Sequence, residues 1–184
     1  MDYTEKTLKI DDIYQGRIIY VHSDEVSLPD GKSARREIVE HSGGVTVLAV
    51  TNDGLVPCVR QFRYALGEHL LELPAGKLEK GEEPLHCAVR ELSEETGYSA
   101  DKFIPLGEMY PSPGYCRETI YMYLALGLAE GSMHLDEGEF LDVEYYPLER
   151  LAEMAVSGEI KDAKTALAIF KAKLYLDKNG GTNG

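Results

Sequence analysis

The segment that most limits the fold is Pro84 to Thr96. It reads as one helix: Pro84 suits a first helical turn, and Gly97 suits the position just past the end. Leu85, Ala88, Val89 and Leu92 recur at helical spacing and predict one apolar face. Glu91 and Glu95, four residues apart, share a side of that helix, with Glu94 beside them. Three like charges within one turn destabilise an isolated helix. Arg90 can pair with Glu94, which leaves Glu91 and Glu95 facing each other. With Leu92 and Val89 turned inward on the opposite face, the acids have nowhere to rotate. Such a cluster is comfortable only with a cation on it. Carboxylates without His or Cys nearby suit Mg2+, with Mn2+ as the alternative. The Gly-rich loop before the helix lets a backbone carbonyl approach the same ion. The competing reading is a solvated acidic face.

Around this helix the chain reads as mixed α/β. Arg17 to His22, Arg35 to His41, Val45 to Val50 and Leu55 to Phe62 have strand character, and the run at 45–50 is apolar enough for burial on both faces. Turn signals at 28–32 and 52–54 suggest an antiparallel meander. Further strands are predicted near Phe103–Met109 and Thr119–Leu126. Helices are expected at 148–157, after Pro147, and at 162–177. In the latter, Ala163, Ala166, Leu167, Phe170 and Leu174 would form the core stripe. The expected organisation is an N-terminal strand region over 1–42, a main domain over 43–178 and a disordered tail over 179–184.

The net charge is −13, from 32 Asp+Glu against 19 Lys+Arg. That balance argues against nucleic-acid polymers and anionic lipid as partners. No apolar run is long enough for a membrane span, and the first residues carry no signal-peptide pattern. Cys58, Cys87 and Cys116 are odd in number, widely spaced and without a C-x-x-C. They read as packing thiols in a reducing cytoplasm. The five His are scattered with no H-E-x-x-H pair.

Residues 76–98 match G-x5-E-x7-R-E-U-x-E-E-x-G-U at every fixed position, where U is bulky and apolar: Gly76, Glu82, Arg90, Glu91, Leu92, Glu94, Glu95, Gly97 and, loosely, Tyr98. This segment resembles the signature of the Nudix hydrolases. Pro113, sixteen residues past Gly97, is similar to a proline that marks the ADP-ribose pyrophosphatase branch. Arg35-Arg36-Glu37, Val59-Arg60-Gln61-Phe62-Arg63, Leu71-Glu72-Leu73-Pro74-Ala75-Gly76 and Asp136-Glu137-Gly138-Glu139 are also similar to that branch. The resemblance implies a Nudix-type α/β/α sandwich with a mixed sheet. It also implies metal-dependent hydrolysis of ADP-ribose to AMP and ribose 5-phosphate. ADP-glucose, GDP-mannose or a diadenosine polyphosphate are the alternative substrates. A non-catalytic nucleotide-sugar sensor is a third reading, disfavoured because such sensors tend to lose box glutamates that this chain keeps.

The resemblance also implies roles. Glu91, Glu95 and the Ala75 carbonyl are the expected metal ligands, with Glu94 either a catalytic acid at the metal or the partner of Arg90. Glu82 is expected to be structural, like Gly76, Arg90, Gly97 and Pro113. A late loop near Leu135–Leu141 would bring the general base, Glu137, and a further ligand, Glu139; the alignment allows these two to exchange. Arg36, Arg63 and Ser112 are expected substrate contacts, since guanidinium suits bidentate phosphate binding. Arg17 stands where some members carry an adenine-stacking aromatic, and His41 where some carry another basic residue, so base preference stays open. Members of the branch are usually homodimers whose N-terminal strands complete the partner's site.

Overall fold

The structure is a computed structural model that describes residues 2–180. It divides into two compact units. The first comprises residues 2–43 together with 110–119, and the second the rest of the described residues.

In the first unit, strands β1 (Lys6–Gln15), β2 (Ile19–Ser27) and β3 (Ser33–His41) form an antiparallel sheet in the order β1-β2-β3. The turn predicted at 28–32 joins β2 to β3, and the Leu28 amide donates to the Lys32 carbonyl. The 110–119 segment adds to β3: the Val39 amide donates to the Tyr115 carbonyl at 2.8 Å, and the Arg117 amide returns a bond to the Val39 carbonyl.

The second unit contains β4 (Gly44–Ala49), β5 (Leu55–Arg63), β6 (Glu68–Glu72), β7 (Ala75–Lys77), α1 (Pro84–Thr96), β8 (Tyr98–Met109), β9 (Ile120–Glu130), β10 (Leu141–Pro147), α2 (Leu148–Ser157) and α3 (Ala163–Lys178). A mixed sheet runs β7-β4-β9-β8, with β4 and β9 parallel. An antiparallel sheet runs β10-β5-β6. Strand β4 is buried along its whole length. Successive side chains point to opposite faces of a strand, so β4 feeds two cores. Val45, Val47 and Ala49 pack against Cys87, Ala88 and Leu92 of α1. Leu48 packs on the other side with Leu151 and Met154 of α2 and Ala168, Ile169 and Ala172 of α3. This is the expected α/β/α sandwich with a mixed sheet.

Two expectations are corrected here. The meander does not extend through residues 51–54, because β4 and β5 enter different sheets. A strand apolar on both faces takes the central place in one sheet and sends its successor to another. In α3 the buried stripe is Thr165, Ala168, Ile169, Ala172 and Leu176, while Leu167, Phe170 and Leu174 are exposed. Small residues let the helix lie close on the core, and that proximity outweighs the greater hydrophobicity of the neighbouring stripe. Asn179 and Gly180 form a turn after α3; the rest of the expected tail lies outside the described residues. Cys58, Cys87 and Cys116 are free thiols. Among the described residues no helix is long and apolar enough to cross a membrane.

Candidate active site

The helix α1 spans the predicted residues, with Pro84 in its first turn and Gly97 in the left-handed conformation at φ 74°. Its inward face differs from the expectation. Leu85 and Val89 are exposed, whereas Cys87, Ala88, Glu91, Leu92 and Glu95 are buried. Glu91 is 7% exposed and Glu95 3%. The two acids line up four apart with Cys87 and flank the Ala88–Leu92 stripe, so seating Leu92 in the core carries both acids inward.

Buried carboxylates need partners. Glu95 Oε2 accepts the Ala75 amide at 2.9 Å. Glu91 lies so close to the backbone at Gly76 that a Cβ there would fall 1.8 Å from its Oε1. That contact is the physical reason for glycine at this position. Gly44 is excluded from a side chain in the same way, its Cβ falling 2.6 Å from the Gly76 carbonyl oxygen. Burial pushes the Glu91 carboxyl up to about 7 and the Glu95 carboxyl up to about 8, with the charge of Glu139 acting in the same direction on both. Of the two loop glutamates, Glu139 is thus the one that stands electrostatically beside the pair.

Arg90 organises the outer acids. Its Nε and Nη2 donate to Glu82 at 3.0 and 3.1 Å. Its Nη1 donates to Glu91 at 2.7 Å and Glu94 at 2.8 Å. The Glu82 carboxyl, bound by Arg90, is held down at about 2. Glu82 also accepts the Glu79 amide, which fastens the loop before α1 to the helix. Among the described residues no three acids, His or Cys surround one point as a metal shell would, since Arg90 draws Glu91 and Glu94 to itself. The donor set is nevertheless all oxygen, and two buried carboxylates with raised pKa values fit a hard divalent cation.

The late loop is anchored at the C-terminal end of α1. The His134 amide donates to the Glu94 carbonyl at 3.0 Å. A Cβ on Gly131 would lie 2.9 Å from the Gly97 carbonyl oxygen, and one on Gly97 would lie 3.0 Å from the Met133 amide nitrogen. The Glu139 amide donates to the Asp136 carbonyl, turning the loop back on itself. Beside Glu139 opens a cleft of about 330 Å³ lined by Arg60, His69, Leu135, Phe140, Leu141 and Asp142. Arg60 is bound bidentately by Glu144 at 2.5 and 3.1 Å.

Arg63 lies on β5, close enough to Glu95 for each charge to act on the other. Its Nε and Nη2 donate to Glu72 at 2.6 and 2.7 Å. Arg36 and Ser112 belong to the first unit. There Arg36 is bound by Glu5 at 2.6 and 2.9 Å, and the Ser112 carbonyl accepts the amides of Tyr115 and Cys116. Glu72, which holds Arg63, was quoted within a motif without a role of its own, and Lys164, which holds Glu72, was not singled out from the sequence. The available signal was Glu72 itself, a lone acid in Leu70-Leu71-Glu72-Leu73, which a buried strand tolerates only with partners.

Comparison with known proteins agrees with this fold. The NUDIX domain model matches residues 32–167. The chain is 47% identical to an ADP-ribose pyrophosphatase of Bacillus subtilis, over 90% of each chain. It is 41% identical to a methanol dehydrogenase activator of Bacillus methanolicus, over 91% of each. It is 36% identical to an ADP-ribose pyrophosphatase of Mycobacterium tuberculosis, over 84% of this chain and 76% of the other. The crystal structure of an ADP compounds hydrolase superposes with a TM-score of 0.85 at 21% identity, covering 96% of both chains, a likeness of fold. With the glutamate box intact, Glu91 and Glu95 buried on α1 and the domain match spanning most of its length, the chain belongs to the Nudix hydrolase family.

Proposed function

We propose that this chain hydrolyses the pyrophosphate bond of ADP-ribose, giving AMP and ribose 5-phosphate, with Mg2+ as the working ion. The observation that carries the reading is the pair of buried carboxylates, Glu91 and Glu95, set against the Ala75–Gly76 backbone beside Glu139. The substrate is supported by the two relatives named ADP-ribose pyrophosphatase.

In this reading Glu91, Glu95, Glu139 and the Ala75 carbonyl hold the metal. When bound, the metal neutralises pyrophosphate charge and lowers the pKa of a coordinated water. Glu137, on the loop fastened to the end of α1, takes the proton of the attacking water, and Glu94 is the second catalytic acid. Arg90 and Glu82 keep the loop and helix together so that these distances hold. Arg63 presents a guanidinium edge to the phosphates. Arg36 and Ser112 are further substrate contacts on the strength of the resemblance, with Pro113 shaping the turn that holds Ser112.

A homodimer is part of the proposal, supported by the apolar side chains Leu8, Ile10, Ile13 and Tyr14 that β1 exposes. A cytoplasmic setting is supported by the three free thiols. The alternative substrate class is another nucleoside diphosphate sugar; relatives named GDP-mannose pyrophosphatase stand at 34% and 31% identity.

The test is a panel of ADP-ribose, ADP-glucose, GDP-mannose and diadenosine polyphosphate with Mg2+, the products resolved by ion-exchange chromatography. ADP-ribose should give the highest kcat/KM, with AMP as the nucleotide product. A higher value for another sugar transfers the assignment to it, and no cleavage of any refutes hydrolysis.

A further inference from the structure

We propose that Lys164 is a positioning residue: through the buried carboxylate of Glu72 it fixes the guanidinium that Arg63 presents to the substrate's phosphates. The proposal rests on the nucleoside-diphosphate reading above.

Glu72 is 1% exposed. A carboxylate so placed costs several kcal/mol unless ion pairs and hydrogen bonds replace its water. Three donors do so here. Arg63 engages it side-on through Nε and Nη2, and Lys164 Nζ binds the same oxygen, Oε2, that receives Arg63 Nη2. The plane of the guanidinium is therefore set by a carboxylate that is itself held from a second direction.

Lys164 is equally fixed. Its ammonium also binds Asp162 at 3.0 Å. Asp162 caps α3 by accepting the Thr165 amide at 2.9 Å. The Thr165 hydroxyl in turn accepts the Leu73 amide at 2.9 Å, from the residue next to Glu72. The bonds close a ring from β6 to the first turn of α3 and back, so the lysine cannot drift without losing its bonds to both Glu72 and Asp162.

The arrangement has an electrostatic consequence. Two carboxylates, Glu72 and Asp162, balance two cations, Arg63 and Lys164, and within that balance Glu72 orients the guanidinium. Its remaining nitrogen, Nη1, makes no hydrogen bond among the described residues, and the side chain is 39% exposed. Glu95 is near enough to act on its charge. A phosphate arriving at the Glu91–Glu95 pair thus meets a guanidinium with one free edge in a fixed plane. Without Lys164, Glu72 is held by Arg63 alone and follows its motion.

The experiment is steady-state kinetics of the full chain with ADP-ribose and Mg2+. Lys164→Gln should raise KM about 10-fold and leave kcat within about threefold, the mark of lost ground-state binding. Lys164→Arg should recover most of the loss, because it restores a cation to Glu72. Arg63→Lys should raise KM similarly, and the double variant with Lys164→Gln should be no worse than Arg63→Lys, since both act through one contact. If Lys164→Gln does not accumulate as folded protein by circular dichroism, Lys164→Met, which keeps the buried stem, takes its place. An unchanged KM in the folded variant, additive effects in the double variant, or no recovery by Lys164→Arg overturns the proposal. If wild type does not cleave ADP-ribose, the substrate reading falls, and the same comparison is run on the nucleoside diphosphate sugar that it does cleave.

Discussion

Replacing Glu95 by Gln is expected to stabilise the chelator-treated protein while removing its activity. Glu95 is 3% exposed, and its carboxyl is raised by burial from an ordinary 4.5 to about 8. Folding at pH 7 then takes up a proton that the unfolded chain does not hold. The interval of about 2.5 pH units costs about 3 kcal/mol at roughly 1.4 kcal/mol per unit. Gln takes up no proton and keeps an oxygen for the Ala75 amide. Its NH2 group gains no assured acceptor, a loss of about 1 kcal/mol. The net gain is about 2 kcal/mol, or roughly 4–8 °C in Tm for a chain of this size. The sign fixes the pH dependence. A carboxyl with a raised folded pKa contributes its full stability below 4.5 and loses it as the pH rises through 8. The wild type should therefore weaken from pH 5 to 8, and its deficit against the variant should widen over the same range. Adding Mg2+ should reverse the order, since a ligand that binds only the fold stabilises it by mass action. Thermal melts of both proteins in EDTA at pH 5, 7 and 8, then with Mg2+, test this alongside turnover. A variant that melts below wild type in EDTA at pH 7, or a gap that ignores pH, would refute the burial argument.

Three further outcomes follow from the same geometry. Gly76→Ala places a methyl 1.8 Å from Glu91 Oε1 and must displace that carboxylate, so turnover should fall at least about 100-fold, as for a 1 Å misplacement of a reacting group; retained activity would show that Glu91 does not need its place against the backbone. Arg90→Met strips a cation from Glu82, Glu91 and Glu94 and should cost about 2 kcal/mol in urea unfolding at pH 7. Because Arg90 lowers the Glu82 carboxyl to about 2, that part of the stability is complete above 4.5 and lost as the pH falls toward 2, so the difference between the two proteins should shrink in acid. Glu137→Gln should lower kcat more than KM, and Glu139→Gln should raise the Mg2+ concentration needed for half-maximal rate; the opposite pattern exchanges base and ligand.

The parts of the fold that the sequence made legible are those with local causes. Pro84 and Gly97 bound α1 because each acts on the backbone where it stands, and the turn at 28–32 closes its hairpin for the same reason. Strand β4 declared its two-sided burial through an unbroken apolar run. Its neighbours were not legible: the turn at 51–54 looks the same whether β5 pairs back on β4 or leaves for the other sheet, and that choice is made by β6, β9 and β10. The box pattern identified Glu91 and Glu95 as special but not their direction. Counting apolar residues put Leu85 and Val89 inside, yet both are exposed while the acids are buried.

That inversion links fold and site. A surface glutamate would stay hydrated and bind a divalent ion weakly, because water competes for both. Packing Leu92 and Ala88 beneath β4 draws Glu91 and Glu95 out of water. The ordinary stabilisation of a carboxylate is thereby withheld, and their raised pKa values measure how much. In this reading, a hard cation restores it, and metal affinity rises as the pH passes 7 to 8 and the protons leave. The α3 stripe carries the same lesson. Leu167, Phe170 and Leu174 are the bulkier set, but the core takes Thr165, Ala168 and Ala172 together with Ile169 and Leu176. With Thr165 turned inward, its hydroxyl receives the Leu73 amide, and the same first turn carries Lys164 to Glu72. Had the larger stripe faced the core, that bond and the Lys164 contact would be lost, and Glu72 would have only Arg63 to hold it.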